Sequence, residues 1–316
     1  MKTIFRKFMT AEKRPIQHSY DRALDWFKKY VVPGQGIIVH TKQLVSYPEV
    51  TGYFIPTLYE WGENELARSC TRWLLSIQLG DGSFPAPDGV PYTFDTGQVM
   101  RGLCAAMEDE VQGVEEALKK ASDWILTQID SDGRLNTPST ELWGDIANDM
   151  IHLYVIPPLK EAGQKLGNDE YVKAAEAILA FYKQQEELLP FNRLSHFHAY
   201  IMEALCELGE TELAAKGMSD VEVLQRKDGS IPAYPDVNWT CSTAIAQYAV
   251  VWYRLGKTER ADRAIRYMEK IQNKSGGFFG SYGQGAKYIS GAEISWAVKY
   301  FLDAYHLKME KENSHA

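Results

Sequence analysis

A short phrase recurs along the chain at a nearly constant interval. Residues 75–84 read LSIQLGDGSF, and residues 223–231 read VLQRKDGSI. The glycine of this phrase, or its equivalent, falls at positions 36, 82, 133, 229 and 276, with spacings of 46, 51, 96 and 47 residues. The interval of 96 spans two periods, so we expect a degenerate copy near residues 188–198. Self-similarity at such a period is typical of chains built from repeated structural units, and here it predicts six units.

Each unit follows the same order of segments. A helical stretch with charge on one side, such as EEALKKASDWILTQI (115–129), runs into a glutamine and a glycine. Glycine readily adopts the left-handed turn that ends many helices. After a loop rich in proline, glycine and aromatic residues comes a more apolar helix, such as STAIAQYAVVWYRLG (242–256). Because apolar residues on most faces indicate burial, we expect the charged helices outside and the apolar helices inside.

Six such helix pairs predict an all-α fold, an (α/α)6 toroid, with an open solenoid as the less favoured alternative. No segment shows the two-residue period of a strand, so we expect no strands. We expect the toroid to occupy residues 1–308 as a single domain. Residues 309–316 have the composition of a solvated C-terminal tail.

Charge and cysteine content argue against several classes of protein. The chain has 34 Lys and Arg against 42 Asp and Glu, a net charge of −8, which argues against a nucleic-acid partner. Its 4 cysteines lie far apart without a CxxC pair, which predicts neither a zinc site nor a disulfide framework and favours a reducing compartment. Without a long apolar run or a signal-peptide core, we expect a cytoplasmic protein with no integral membrane segment. These features do not indicate an oligomeric state.

The repeated phrase, with its Gln78 and Gly82, resembles the QW repeat of squalene-hopene and related terpenoid cyclases. Their α/α toroids are shared with protein prenyltransferase β subunits, so the resemblance implies that fold. The Asp-x-Asp-Asp cluster of the cyclases and the zinc ligands of the prenyltransferases are absent. Residues 46–58, SYPEVTGYFIPTL, are more similar to small α/α proteins encoded beside bacterial polysaccharide-synthesis enzymes. The resemblance therefore carries the fold, and function has to be argued from individual residues.

Polar residues recur where the inner helices are expected to begin. Aligning those helices by their starts gives one column of residues: Glu49, Asp95, Asp145, His196, Ser242 or Thr243, and Glu293. In a closed toroid these positions surround one opening, and converging titratable groups in a concave site are candidates for catalysis. The alternative for Asp95, Asp145 and Ser242 is helix N-capping, in which the side chain accepts a hydrogen bond from a free backbone N–H.

One segment carries three polar residues at helical spacing. Asp145, Asp149 and His152 stand at i, i+4 and i+7, so on an α-helix they share a face. They could act as acid and base, since burial and proximity push pKa values apart. The alternative is a buried polar network between helices. We predict no metal, because no second helix supplies a fourth ligand, and no cofactor, because no cofactor-binding motif is present.

The segment NRLSHFHAY (192–200) contains two histidines that lie two residues apart, so on a helix they diverge by about 200° and only one can face the opening. Three cations of the loops could hold a substrate carboxylate, or simply be solvated: Arg134, Arg193 and Lys287. Aromatic rings there could stack on sugars, or simply plug the toroid. The candidate substrate-binding residues are Tyr47, Tyr53, Trp143, His152, Arg193, His198, Trp239, Lys287 and Tyr288.

These residues favour a carbohydrate-active enzyme acting on a bacterial polysaccharide or its precursor by hydrolysis, elimination or epimerisation. We expect Asp95 to be the general acid, Asp145 or Asp149 the base or nucleophile, and His196 an alternative base. One alternative is a terpenoid cyclase-like or isoprenoid-binding protein, and another is a non-catalytic toroid that binds a glycan or a protein partner. A sealed aromatic cavity without paired carboxyls would favour the isoprenoid alternative.

Overall fold

The computed structural model describes residues 18–109, 111–137 and 149–314. Within them, twelve α-helices alternate between two layers. The outer helices are α1 Ser19–Tyr30, α3 Asn64–Ile77, α5 Val114–Thr127, α7 Asp169–Tyr182, α9 Thr211–Leu224 and α11 Thr258–Ile271. The inner helices are α2 Pro48–Glu60, α4 Thr93–Ala106, α6 Ile156–Leu166, α8 Ser195–Glu207, α10 Ser242–Arg254 and α12 Ser295–Ser314.

Burial separates the two layers as the sequence predicted. All residues of α8 from 195 to 205 are buried, so this helix is surrounded on every face. In α11 the buried residues follow the spacing of one helical face, and they are Ala261, Ala264, Ile265 and Met268. Each inner helix contacts the next, and α12 contacts α2. The (α/α)6 toroid is therefore confirmed, and the ring is closed.

The glutamine of the repeated phrase links neighbouring units. Gln78 Nε2 donates to the carbonyl oxygens of Gly82 and of Ala117 on the next outer helix, each at 2.9 Å. Gln272 Nε2 donates in the same way to Gly276 at 2.9 Å and to Ser19 at 2.8 Å. Because Ser19 begins α1, the last unit is hydrogen-bonded to the first, and the repeated phrase itself closes the ring.

The glycine of the phrase is required for two physical reasons. Gly229 and Gly276 have φ of 91° and 95°, which residues with a side chain rarely adopt. A Cβ atom there would lie 2.0 Å from the carbonyl oxygen of Arg263 and 1.9 Å from that of Arg22, both on the neighbouring outer helix. No side chain fits in that space. The recurrence of the glycine thus follows from the close approach of adjacent units.

Two expectations about secondary structure were wrong. Short antiparallel strands are present, pairing β1 Ile38–His40 with β2 Gln43–Ser46 and β3 Thr240–Cys241 with β4 Ser281–Tyr282. They are too short to show a period in the sequence. The third inner helix was expected to begin at Asp145, whereas α6 begins at Ile156 after a 3-10 helix, Asp149–Val155. Prolines 157 and 158 explain this, because proline is tolerated in the first helical turn and not in a helix interior.

The last helix continues through the position where we expected the tail to begin. Helix α12 runs without a break to Ser314, and residues 312–314 are exposed. All four cysteines are free, and Cys70, Cys104 and Cys241 are buried. Across the described ranges, no helix combines the length and the apolarity needed to cross a bilayer.

Candidate functional site

A cavity of about 240 Å³ opens where the inner helices begin. Helices α2, α4, α8 and α12 contribute their first turns, and the 3-10 helix contributes its own start. The described residues that line it are Tyr47, Glu49, Tyr92, Phe94, Asp95, Arg134, Thr137, Asp149, Ile151, His152, His196, Phe197, Tyr200, Tyr288 and Trp296. The cavity thus combines aromatic walls with carboxyl and imidazole groups.

Asp95 lies in the first turn of α4 and is only 7% exposed. Burial raises the pKa of its carboxyl to about 7, although the Tyr47 hydroxyl opposes this by donating to Asp95 Oδ2 at 2.9 Å. Asp95 is therefore protonated up to near neutral pH. It is not an N-cap, because Tyr92 occupies the N-cap position of α4.

Glu49 is a second buried carboxyl of the same cavity, in the first turn of α2. Burial raises its pKa well above the ordinary value, and the charge of Asp95 raises it further. Trp296 Nε1 donates to Glu49 Oε2 at 3.3 Å. Each of these two carboxyls disfavours ionisation of the other, so the pair retains a proton where an exposed carboxyl would lose it.

Asp149 has the opposite electrostatic environment. Burial alone would raise its pKa, but hydrogen bonds and charge from His152 and Arg134 outweigh that effect, so the pKa is lowered. Arg134 Nε donates to Asp149 Oδ2 at 3.0 Å, and His152 Nδ1 lies 3.5 Å from Asp149 Oδ1. In a 3-10 helix residues i and i+3 eclipse, which brings His152 beside Asp149. The cavity therefore contains an ionised carboxylate as well as protonated carboxyls.

Of the two histidines in NRLSHFHAY, only His196 lines the cavity. Its ring lies 4.3 Å from that of Tyr200, and burial lowers its pKa to about 3. We expected His198 to bind substrate, and the structure corrects this. His198 is fully buried, with Nδ1 2.9 Å from the Tyr248 hydroxyl and Nε2 3.1 Å from the Leu189 carbonyl oxygen.

Three charged candidates do not line the cavity. Glu293 is used structurally, because its carboxylate accepts a hydrogen bond from Trp26 Nε1 at 2.6 Å and so connects the last loop to α1. Arg193 is buried and donates to the carbonyl oxygen of Glu187. Lys287 is exposed outside the cavity. Of the three cations predicted to hold a substrate carboxylate, Arg134 lines the cavity, whereas Arg193 and Lys287 do not.

Two aromatic candidates also lie elsewhere. Tyr53 points towards the opposite end of the barrel, where it lines a second cavity. Trp239 packs against Tyr234 with ring centroids 5.9 Å apart. Trp143 and Asp145 fall outside the described residues.

Several lining residues were missed as site candidates. Tyr200 could have been found, because it follows His196 by four residues and shares its helical face. Phe94, Phe197 and Trp296 stand next to polar residues at helix starts and gave no separate signal. Ser242, considered either a cap or a site residue, is the first residue of α10 and donates to the Phe279 carbonyl oxygen at 2.6 Å.

The second cavity, of about 220 Å³, lies at the other end of the inner helices. Several of its charged groups pair with one another: Arg101 with Glu207 at 2.9 Å, Arg254 with Glu207 at 3.0 Å, and Lys299 with Asp303 at 2.6 Å. These described residues form a polar network at the end of the barrel away from the candidate site. Among those residues no cluster of His, Cys, Asp and Glu is arranged to hold a metal ion.

No protein family matches this sequence, and no curated protein does. Solved structures do match the fold. An α-amylase from Clostridium perfringens has a TM-score of 0.72 at 14% identity, covering 93% of this chain and 99% of its own. An unsaturated glucuronyl hydrolase from a Bacillus species, responsible for the degradation of glycosaminoglycan, has a TM-score of 0.69 at 14% identity, covering 93% and 95%. A D-mannose isomerase has a TM-score of 0.68 at 10% identity, covering 92% and 96%. At these identities the likeness establishes a shared fold.

Proposed function

We propose that this protein is a carbohydrate-active enzyme that hydrolyses a glycosidic bond of a bacterial polysaccharide or its precursor. One observation carries the proposal: a single aromatic-lined cavity presents the protonated carboxyl of Asp95 and the ionised carboxylate of Asp149. Glycoside hydrolysis needs a carboxylic acid that protonates the leaving oxygen and a carboxylate that acts as base or nucleophile. Opposite pKa shifts within one site assign those two roles.

In this mechanism Asp95 donates its proton to the glycosidic oxygen as the bond to the anomeric carbon breaks. Burial keeps Asp95 protonated up to near neutral pH, and the charge of Asp95, once ionised, further raises the pKa of Glu49. Asp149 either removes a proton from the attacking water or attacks the anomeric carbon itself. Arg134 and His152 hold it ionised and oriented.

The walls of the cavity suit a sugar. Flat rings pack against the apolar faces of pyranoses, and five rings besides Tyr47 and Tyr200 are available: Tyr92, Phe94, Phe197, Tyr288 and Trp296. Hydroxyl groups of the sugar would meet the carboxyl and imidazole groups between those rings. Two of the three solved structures reported above are by name an amylase and a glucuronyl hydrolase, which is consistent with this reading.

The charged side chains that line the cavity favour hydrolysis over elimination or epimerisation of a uronate. Both reactions of a uronate build up negative charge at its carboxylate, which a nearby cation would stabilise. Among the described residues that line the cavity, Arg134 is the one Lys or Arg, and Asp149 already pairs with it. We therefore propose a substrate sugar without a carboxylate at the reacting ring.

A screen of neutral and uronate-containing oligosaccharides, read by mass in ¹⁸O-labelled water, tests this proposal. Hydrolysis yields two products that together carry one added labelled water, whereas elimination adds none and epimerisation leaves the mass unchanged. We expect labelled products from neutral oligosaccharides. The proposal would be overturned if the protein cleaved uronates by elimination. It would also be overturned if the protein bound an isoprenoid tightly and turned over no sugar. The isoprenoid is included because an aromatic lining also suits such a ligand.

Replacing Tyr47 with Phe should shift the alkaline limb of the pH profile of kcat/KM to higher pH. Asp95 must be protonated to act as acid, so activity should fall as pH rises through about 7. The Tyr47 hydroxyl stabilises the ionised form, and a hydrogen bond to a charged group contributes about 1.5–3 kcal/mol, which corresponds to about one to two pH units. Tyr92→Phe is the matched control, because its hydroxyl donates to Asp88 instead. An unshifted limb in Tyr47→Phe would remove Asp95 as the acid.

A further inference from the structure

A chain of hydrogen bonds leads from the cavity to the opposite end of the barrel. His196 Nδ1 lies 3.0 Å from Gln247 Oε1, and Gln247 Nε2 donates to Glu203 Oε2 at 2.7 Å. Arg254 Nη2 lies 3.8 Å from Glu203 Oε1. His196, Gln247 and Glu203 are each at most 2% exposed. Bulk water is therefore largely excluded from the contacts of Gln247 with His196 and with Glu203.

Helix geometry sets up this chain. Glu203 follows His196 by seven residues on α8, and Arg254 follows Gln247 by seven residues on α10. Seven residues make about two helical turns, so each pair occupies one face of its helix. Helices α8 and α10 pack side by side, which places the two faces against each other.

The chain of hydrogen bonds has only one consistent direction. The amide nitrogen of Gln247 faces Glu203 Oε2, which accepts its hydrogen bond, and the amide oxygen faces His196 Nδ1. Burial raises the pKa of Glu203, and the nearby charges of Lys299 and Arg254 oppose that rise. An oxygen acceptor pairs only with a protonated Nδ1, and the second nitrogen of a neutral imidazole is then unprotonated.

We propose that Gln247 and Glu203 are positioning residues that hold His196 as the neutral Nδ1–H tautomer, so that Nε2 accepts a hydrogen bond from a substrate hydroxyl. The assignment of the tautomer stands on the contacts above, and the assignment of the hydroxyl rests on the proposed function. The other titratable side chains around the imidazole are Tyr200, Tyr288, Tyr300 and Lys299. The three tyrosine hydroxyls are neutral at pH 7, since burial raises the pKa of each one.

NMR of the ligand-free full-length protein tests the tautomer directly. With ¹⁵N-labelled histidine, couplings between ring nitrogens and ring protons show which nitrogen carries hydrogen, and His196→Gln assigns the signals. We expect His196 to be entirely Nδ1–H at pH 7. His198 is the internal control and should be the opposite tautomer, because its Nε2 faces the Leu189 carbonyl oxygen. An Nε2–H or mixed signal for His196 in the wild-type protein would overturn the proposal without reference to any variant.

Two substitutions test the positioning residues. Gln247→Met keeps the volume but removes the acceptor, and Glu203→Gln removes the group that orients the amide. Each should give His196 a mixture of tautomers and leave the His198 signal unchanged. If His196 stays entirely Nδ1–H in both variants, Gln247 and Glu203 do not position it.

Enzyme kinetics test whether His196 Nε2 binds a substrate hydroxyl, independently of the tautomer. Losing one hydrogen bond to a neutral hydroxyl costs about 0.5–1.5 kcal/mol, so Gln247→Met should raise KM by about 2- to 13-fold with little change in kcat. A KM equal to that of the wild type would overturn the assignment of Nε2 to a substrate hydroxyl. If no sugar is turned over at all, the proposed function fails, and the NMR result still decides the tautomer.

Discussion

Replacing either Asp95 or Asp149 with Asn should lower kcat/KM by about 10²- to 10⁴-fold, the usual contribution of a positioned acid or base. Asn at position 95 is neutral, as the protonated Asp is, so the buried environment tolerates it while the transferable proton is lost. Asn at position 149 keeps the shape of the side chain but removes the charge that Arg134 and His152 stabilise. The measurement is kcat/KM on the oligosaccharide that the screen identifies.

Asp95→Asn and Asp149→Asn should both still bind that oligosaccharide, because the aromatic walls of the cavity remain intact. Calorimetry measures this binding. Asp132→Asn is the matched control: it changes an exposed carboxylate on the same loop as Arg134, and its activity should equal that of the wild type. Full activity in Asp95→Asn would refute the acid assignment. A wild-type protein that binds glycans and never turns them over would be the non-catalytic toroid considered from the sequence.

Replacing Gly229 with Ala should destabilise the fold far more than replacing Gly209. Both glycines have left-handed backbone, with φ of 91° and 83°, and that conformation costs an alanine roughly 1–2 kcal/mol. A Cβ on Gly209 meets nothing within 4 Å, whereas one on Gly229 would lie 2.0 Å from the Arg263 carbonyl oxygen. Relieving that overlap requires α11 to move away from the loop.

We therefore expect a free energy of unfolding lowered by about 1–2 kcal/mol for Gly209→Ala and by about 4 kcal/mol or more for Gly229→Ala. Denaturant titration followed by circular dichroism measures both. Equal losses would mean that backbone conformation alone explains the repeated glycine, and that close contact between units does not.

The layer of each helix could be predicted from the sequence because it depends on local pattern. Charge on one face of 115–129 and apolar residues around 242–256 were enough to assign outer and inner positions. The start of the third inner helix was misplaced because the spacing of Asp149 and His152 also fits an α-helix. The prolines at 157 and 158 instead place the first turn of α6 at Ile156. The strands could not be predicted, because a segment of two to four residues is too short to show the two-residue alternation of a strand.

The candidate site was predictable only in part. Starting positions of inner helices brought Glu49, Asp95 and His196 to one cavity, as a closed ring requires. The same rule nominated Glu293, which the structure uses to tie the last loop to α1. Position at a helix start fixes which end of the barrel a residue occupies, and it does not fix the direction in which the side chain points.

From sequence alone came the number of units, their two layers and the end of the barrel that gathers polar residues, since each depends on residues within one unit. Only the tertiary structure supplies the environments that support the acid and base roles proposed for Asp95 and Asp149. Those depend on loss of water and on partners far away in sequence, such as Trp296, 247 positions from Glu49. Burial raises the pKa of Asp95, and Arg134 and His152 help lower that of Asp149. Solvent exclusion and charge contacts of this kind exist only when six separate units enclose a common cavity.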